Sequence, residues 1–308
     1  MPSVTNFITD YRWENTLIVL FCLIDEACLI LYDSRNLPRE RGPEPTFADS
    51  EVITLAVWLE TYHEGHEERA WADLEQHYRH LFPDLIDRSR FNRRRRDLAD
   101  AMEEIRRFWN RELGVEDDDI RTIDSLPIHL CAYVRGSRCR SIPITEPVEL
   151  ERYFGVVPSK KAKFFGLRLH FTTLLNALVD RWLLAPASIH DLKPMPSLLE
   201  DYEDILVIGD KAYNDADLEE RLRRQRNVDL RPIRRVNQKH QWSPAMKAAL
   251  SKARHWAENA GSILTTVYNI EHLGSRSWSG HIARVTTKLL AFTMAFVLTA
   301  VLPTVFGN

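Results

Sequence analysis

The chain has only four cysteines in 308 residues, Cys22, Cys28, Cys131 and Cys139, and no two of them stand in CxxC spacing. That argues against a disulfide scaffold and a structural zinc site, and a reducing cytosol is the simplest setting. No cationic segment leads into an apolar run at the start, where Asp10, Arg12 and Glu14 already interrupt the pattern, so a secretory leader is not expected. Internal repeats and low-complexity segments are missing too. No lysine precedes Lys160, so every earlier Lys/Arg position is an arginine. The net charge of -3 offers no overall excess of positive charge for a nucleic-acid partner, but the distribution is uneven. "RSRFNRRRR" at 88–96 holds six arginines, Arg88, Arg90, Arg93, Arg94, Arg95 and Arg96, while "EDDD" at 116–119 and scattered Glu restore the balance.

What is present supports a globular protein: 308 residues hold one large domain or two ordinary ones, and 44% hydrophobic content is ample for a core. Residues 15–112 place apolar side chains at three- and four-residue steps, which predicts an all-α N-terminal region, with "SRFNRRRRDLADAMEEIRRFWNREL" as one of its helices. Past "GVEDDD" the pattern changes. "IRTIDSLPIHLCAYV", "FFGLRLHFTTLLN" and "ALVDRWLLAPAS" read as three strands, then "DILVIGD" and "VDLRPIR" as a fourth and fifth separated by the helix "DADLEERLRRQRN". The expected domains are therefore 1–115, helical, and 116–308, α/β. Long helical stretches follow at about 244–270 and 280–304. The uncharged run 289–308 reaches the length of a membrane span, but its three Thr and Pro303, and a helix start upstream, favour a buried C-terminal helix.

Three strands on short connections suit an antiparallel meander, and the later crossovers suit parallel additions. A dinucleotide-binding fold would alternate strand and helix from the start and carry a Gly-rich turn after its first strand, where this chain has "DSLPIH". In the expected order the first and fourth strands lie side by side, so Asp124 in "TIDSLP" and Asp210 in "VIGD" come together. Paired carboxylates repel unless a cation sits between them, and Mg²⁺ is the natural hard ion. Two such ions would clamp the attacking and leaving oxygens of a phosphoryl displacement. Asp210 also reads as a helix cap. For a third carboxylate the C-terminal helices offer Glu258 and Glu271. Glu258 shares a helix face with Arg254 beside the small residues Ala257, Ala260 and Gly261, an arrangement that also suits a simple surface ion pair.

Taken together these segments resemble the DDE transposases of bacterial insertion sequences, which have a ribonuclease H-like catalytic core. "TIDSLPIHLC" and "VIGDKAYND" look like the two Asp motifs, "KKAKFFGLRLH" like the strand after the first, "LAPASIHD" like the segment after the third strand, and "RHWAENAGSIL" with "SRSWSGHIARVTTKLLAF" like the Glu helix and tail. "FPDLIDRSRFNRRRRDL" is similar to the N-terminal region of one branch. The resemblance implies a ribonuclease H-like mixed sheet with flanking helices, with Asp124, Asp210 and Glu258 as catalytic residues and as ligands of Mg²⁺ or Mn²⁺, two ions in all. It also implies cleavage at transposon ends and strand transfer into target DNA, by a homodimer acting on double-stranded DNA in the bacterial cytoplasm, at the nucleoid. Two departures stand out: Asn259 follows Glu258 where a large polar or basic residue is usual, and Ala212 replaces a common Gly.

The basic segments supply candidate DNA contacts. Arg88, Arg90, Arg93, Arg94, Arg95 and Arg96 suit phosphate contacts, and successive positions on a helix turn by about 100°, so one or two of the last four should face elsewhere. A solvated charged face is the plain alternative. Lys160, Lys161 and Lys163, Arg254, and the group Arg135, Arg138 and Arg140 are expected to flank the carboxylates, and His190-Asp191 to position substrate or cap a helix. Two other functions share the core: a metal-dependent nuclease without strand transfer, and an inactive DNA-binding relic.

Overall fold

The computed structural model describes residues 13–34, 45–144, 146–157 and 161–306. Two compact units divide it: Met1–Leu113 with Val267–Asn269 and Gly274–Asn308, and Gly114–Thr266 with Ile270–Leu273. The last helix, grouped with the sheet in the 116–308 reading, clusters instead with the N-terminal helices.

The first unit holds α1 (Trp13–Asp33), α2 (Asp49–Tyr62), α3 (Glu67–Asp73), α4 (Arg88–Asp97) and α5 (Ala99–Glu112). The expected single helix over 89–113 is two, because Leu98 leaves helical geometry at φ -90°, ψ 10°. Asp87 caps α4 by accepting from the backbone N–H groups of Ser89 and Arg90. The same unit holds the C-terminal helix, Trp278–Phe306, whose most apolar stretch is 78% buried. It and α1 are the two described helices long and apolar enough to cross a membrane, but core helices of this kind meet the same test.

Within that apolar helix Lys288 is buried, and its ammonium donates to Glu60 Oε2 at 2.5 Å and to the Tyr268 carbonyl at 2.6 Å. Glu60, wholly buried, also accepts from Arg95 at 2.5 Å and Arg284 at 2.7 Å. Burial alone would raise the Glu60 pKa, but Lys288, Arg95 and Arg284 outweigh it and hold the carboxyl well below the usual range.

The second unit is built on a six-stranded mixed sheet of β1 (Ile120–Cys131), β2 (Phe154–Val157), β3 (Ala162–Thr173), β4 (Val179–Pro186), β5 (Leu206–Gly209) and β6 (Asp229–Pro232). β1 pairs antiparallel with β3, β3 antiparallel with β4, and β1–β5–β6 run parallel, as the strand order predicts. The unforeseen strand is β2, four residues long, which pairs with the start of β3 end to end with β4. Helices α6 (Pro147–Leu150), α7 (Met195–Leu198), α8 (Ala216–Arg226) and α9 (Pro244–Thr266) complete the unit, and the C-terminal helix of the first unit is α10. This mixed sheet flanked by helices, with a helical N-terminal region, agrees with the ribonuclease H-like architecture that the sequence resemblance implies. Two close approaches fix it. A Cβ on Gly166 would stand 1.8 Å from the Ile128 carbonyl oxygen across the β1–β3 ladder, and one on Gly261 would stand 3.3 Å from Leu126, where α9 lies on β1.

Candidate active site

Asp124 does not end β1, which runs on to Cys131; what ends just before it is the parallel pairing with β5. The β1–β5 ladder closes on the rung Thr122–Ile208, and Asp124 and Asp210 each lie two residues beyond it. The alternation of strand side chains therefore gives both carboxylates the same relation to the last shared rung. Pro127 is tolerated because between Thr122 and the His129 bridge the strand is paired on its β3 side only.

Each aspartate is half-buried and held by a local N–H: Asp124 Oδ1 accepts from Ser125 N at 2.8 Å, and Asp210 Oδ1 from Ala212 N at 2.7 Å. Burial pushes the Asp124 carboxyl up to about 6; Asp210 and Glu258 push it further while the Ser125 N–H and Arg254 oppose. The three proposed carboxylates and Arg254 thus share one electrostatic neighbourhood. Glu258 projects from α9 beside the buried Ala257, Ala260 and Gly261, and its oxygens pair with Arg254 and, at 2.9 Å, with His255 Nδ1. Those partners outweigh burial and lower its pKa. The rival Glu271 has its backbone elsewhere: its carbonyl accepts from His129 N at 2.7 Å, five residues and roughly 16 Å along β1 from Asp124.

Several neighbours had no clear mark in the sequence. Tyr213 is fully buried, and Gly209 is glycine because a Cβ there would meet the Tyr213 ring at 2.9 Å. Burial, then Asp191, Asp124 and Asp210, raise its phenol well above the ordinary value. Ser125 Oγ donates to Asp191 Oδ1 at 3.2 Å, which also lies 3.8 Å from Nδ1 of the buried His170. Burial lowers the His170 pKa to about 4, keeping the ring neutral. Of the pair His190-Asp191, Asp191 is the member that reaches the site's neighbours; His190 Nδ1 accepts from Leu192 N at 3.3 Å as a loop cap.

The donor set at the two aspartates fits a hard divalent cation, since both are carboxylates and the buried Asp124 charge lacks a full counter-charge. Glu258 is turned to Arg254 and His255 of its own helix, and among the described residues no three His, Cys, Asp or Glu side chains form a ready metal cage.

The basic residues divide. Arg95 is corrected as a surface DNA contact: it is 2% exposed, with its Nη2 committed to Glu60. Arg94 bonds to the Phe47 carbonyl and Asp49, Arg88 pairs with Glu68, and Arg90 pairs with Asp87, while Arg88, Arg93 and Arg96 line a surface cleft. Lys161 and Lys163 are exposed, but they and Arg135, Arg138 and Arg140 do not flank the carboxylates. They stand by the Cys131–Phe165 end of the β1–β3 ladder, roughly 23 Å along the strand from Asp124. Lys160 lies outside the described residues.

No curated protein and no solved structure matches the chain. Residues 140–294, half of its length, match the family described as transposase DDE domain; the match spans Asp210 and Glu258 and begins after Asp124. With the mixed sheet and the two aspartates beyond the last β1–β5 rung, that match shows that the chain belongs to the DDE transposase family.

Proposed function

We propose that the protein is the DNA transposase of a bacterial insertion sequence, cutting at the transposon ends and joining the freed 3′-hydroxyl to target DNA, as a homodimer at the nucleoid. The observation that carries this reading is the pair Asp124 and Asp210, set side by side beyond one rung of two parallel strands, with the Asp124 carboxyl pushed up to about 6. Asp124, Asp210 and Glu258 would hold Mg²⁺ or Mn²⁺, and the bound ions would supply Lewis acidity to the scissile phosphodiester. Glu258 would turn from Arg254 and His255 to join the aspartates, which leaves Arg254 beside the site as a cation for DNA phosphate. Tyr213, buried with its ring against Gly209, and Ser125, held by Asp191, give the aspartates fixed neighbours as charge builds there.

Incubation of the purified protein with a supercoiled plasmid carrying its gene and flanking DNA, plus a second target plasmid, tests the reading. The expected products are donor molecules cut at the element's ends and covalently joined to target. Cutting without joining would make the protein a nuclease of this core, and intact plasmids throughout would support the inactive relic.

A further inference from the structure

The first unit carries a polar cleft of about 970 Å³ that the sequence reading did not assemble. Three stretches far apart in the chain build it: the Gly65–Arg69 turn leading into α3, the exposed side of α4, and the segment 274–284 entering α10. Six arginines line it, Arg69, Arg88, Arg93, Arg96, Arg276 and Arg284, against two carboxylates, Glu67 and Glu68. Arg69, Arg96 and Arg276 have no ion pair among the described residues, so their charge is not consumed internally.

A narrower cavity of 180 Å³ borders Arg95, Arg96, Arg276, Arg284, Ser275 and Ser277. The Arg95 side chain is 2% exposed and its Nη1 makes no hydrogen bond, with Glu67 Oε1 3.8 Å away. A buried guanidinium N–H without an acceptor is costly, and an anionic oxygen in this cavity would satisfy it. Arg95 and Arg284 also repel one another there, and an anion between them would relieve that repulsion.

We propose that this cleft is a binding surface for the phosphate backbone of duplex DNA, with one phosphate seated at the cavity between Arg96, Arg276 and Arg284. This rests on the transposase reading for the identity of the polyanion. The size and openness of the cleft, and the spread of its arginines over three chain segments, fit an extended polyanion better than a small one. It also redistributes the recognition role: Arg69, Arg276 and Arg284 join Arg93 and Arg96, while Arg95 reaches the cavity from beneath.

Fluorescence anisotropy with a short random-sequence duplex, at several salt concentrations, tests the placement using full-length Arg69→Ala, Arg96→Ala and Arg276→Ala. Exposed Arg107, outside the cleft and paired with Glu103 and Glu104, serves as the Arg107→Ala control. Thermal melting reports whether each variant is folded. Each cleft variant should weaken binding several-fold and lower the salt slope by about 1, with Arg107→Ala unchanged. Wild-type affinity and slope in all three folded cleft variants would overturn the placement while leaving the transposase reading standing. A wild-type protein that binds no duplex at low salt would overturn both. Inorganic phosphate supplies the second arm: if it raises the melting temperature of wild type but not of Arg276→Ala, while DNA binding is equal in all variants, the cavity holds free phosphate and the proposal fails.

Discussion

Asp124 and Asp210 stand two residues beyond the same rung, Thr122–Ile208, of the parallel β1–β5 pair, and Asp210 acts on Asp124 strongly enough to add to the effect of burial. That relationship has a thermodynamic signature independent of DNA. The Asp124 carboxyl is raised from 3.8 to about 6, so between those values the folded state holds a proton that the unfolded state has released. Stability contributed by this group therefore falls as pH rises from about 4 to 6, and the loss is complete above that window. In EDTA, Asp124→Asn should be more stable than wild type at pH 8, by on the order of 1–2 kcal/mol, with the gap closing towards pH 4. Thermal melts across this range check it, and a gap independent of pH would count against the shifted carboxyl.

The proposed third ligand rests on position relative to β1. Glu258 lies within electrostatic reach of Asp124, whereas the Glu271 backbone is anchored at His129. Calorimetric titration with Mn²⁺ should show weakened binding in Glu258→Gln and wild-type binding in Glu271→Gln. The reverse pattern would move the ligand to Glu271.

Glu60 is the keystone of the helical unit, since Lys288, Arg95 and Arg284 all converge on it. Removing one partner of a buried ion cluster leaves charge without compensation, at a cost of about 3–5 kcal/mol. Glu60→Ala should lower the denaturant midpoint accordingly, and a change under about 1 kcal/mol would show that the cluster is not dry.

Gly166 tests the β1–β3 register. A Cβ at 1.8 Å from a backbone carbonyl can be accommodated only by moving a strand. Gly166→Ala should destabilise by about 3 kcal/mol or more, measured by denaturant unfolding.

The sheet was readable because its strands alternate or run apolar between turn residues, and because connection length separates meander from crossover; β1, β3, β4, β5 and β6 all follow. β2 was not, since four residues carry too little pattern to distinguish from loop. The 89–113 stretch keeps helical periodicity through Leu98, so its break is set by tertiary packing and left no Gly or Pro to mark it. Asp124 and Asp210 could be paired from strand order alone. The fate of the arginines could not, because helical spacing says that four consecutive residues face different ways but not which one meets Glu60, 35 residues away. Lys288 in an apolar helix signals a buried partner, yet nothing local says that the partner is Glu60. Tyr213 and His170 look like ordinary core residues until the fold places them against carboxylates.

The central claim is that Asp124 and Asp210, beyond the last β1–β5 rung, make a divalent-cation-dependent centre for cutting DNA. Its most direct measurement compares wild type with Asp210→Asn, in Mg²⁺ and in EDTA, on a plasmid carrying the gene with its flanking DNA, with duplex binding followed in parallel. Cleavage by wild type in Mg²⁺ alone, lost by at least about a thousandfold in Asp210→Asn while duplex binding is retained, is the predicted result. Cleavage that persists in EDTA, or in Asp210→Asn at the wild-type rate, would contradict it.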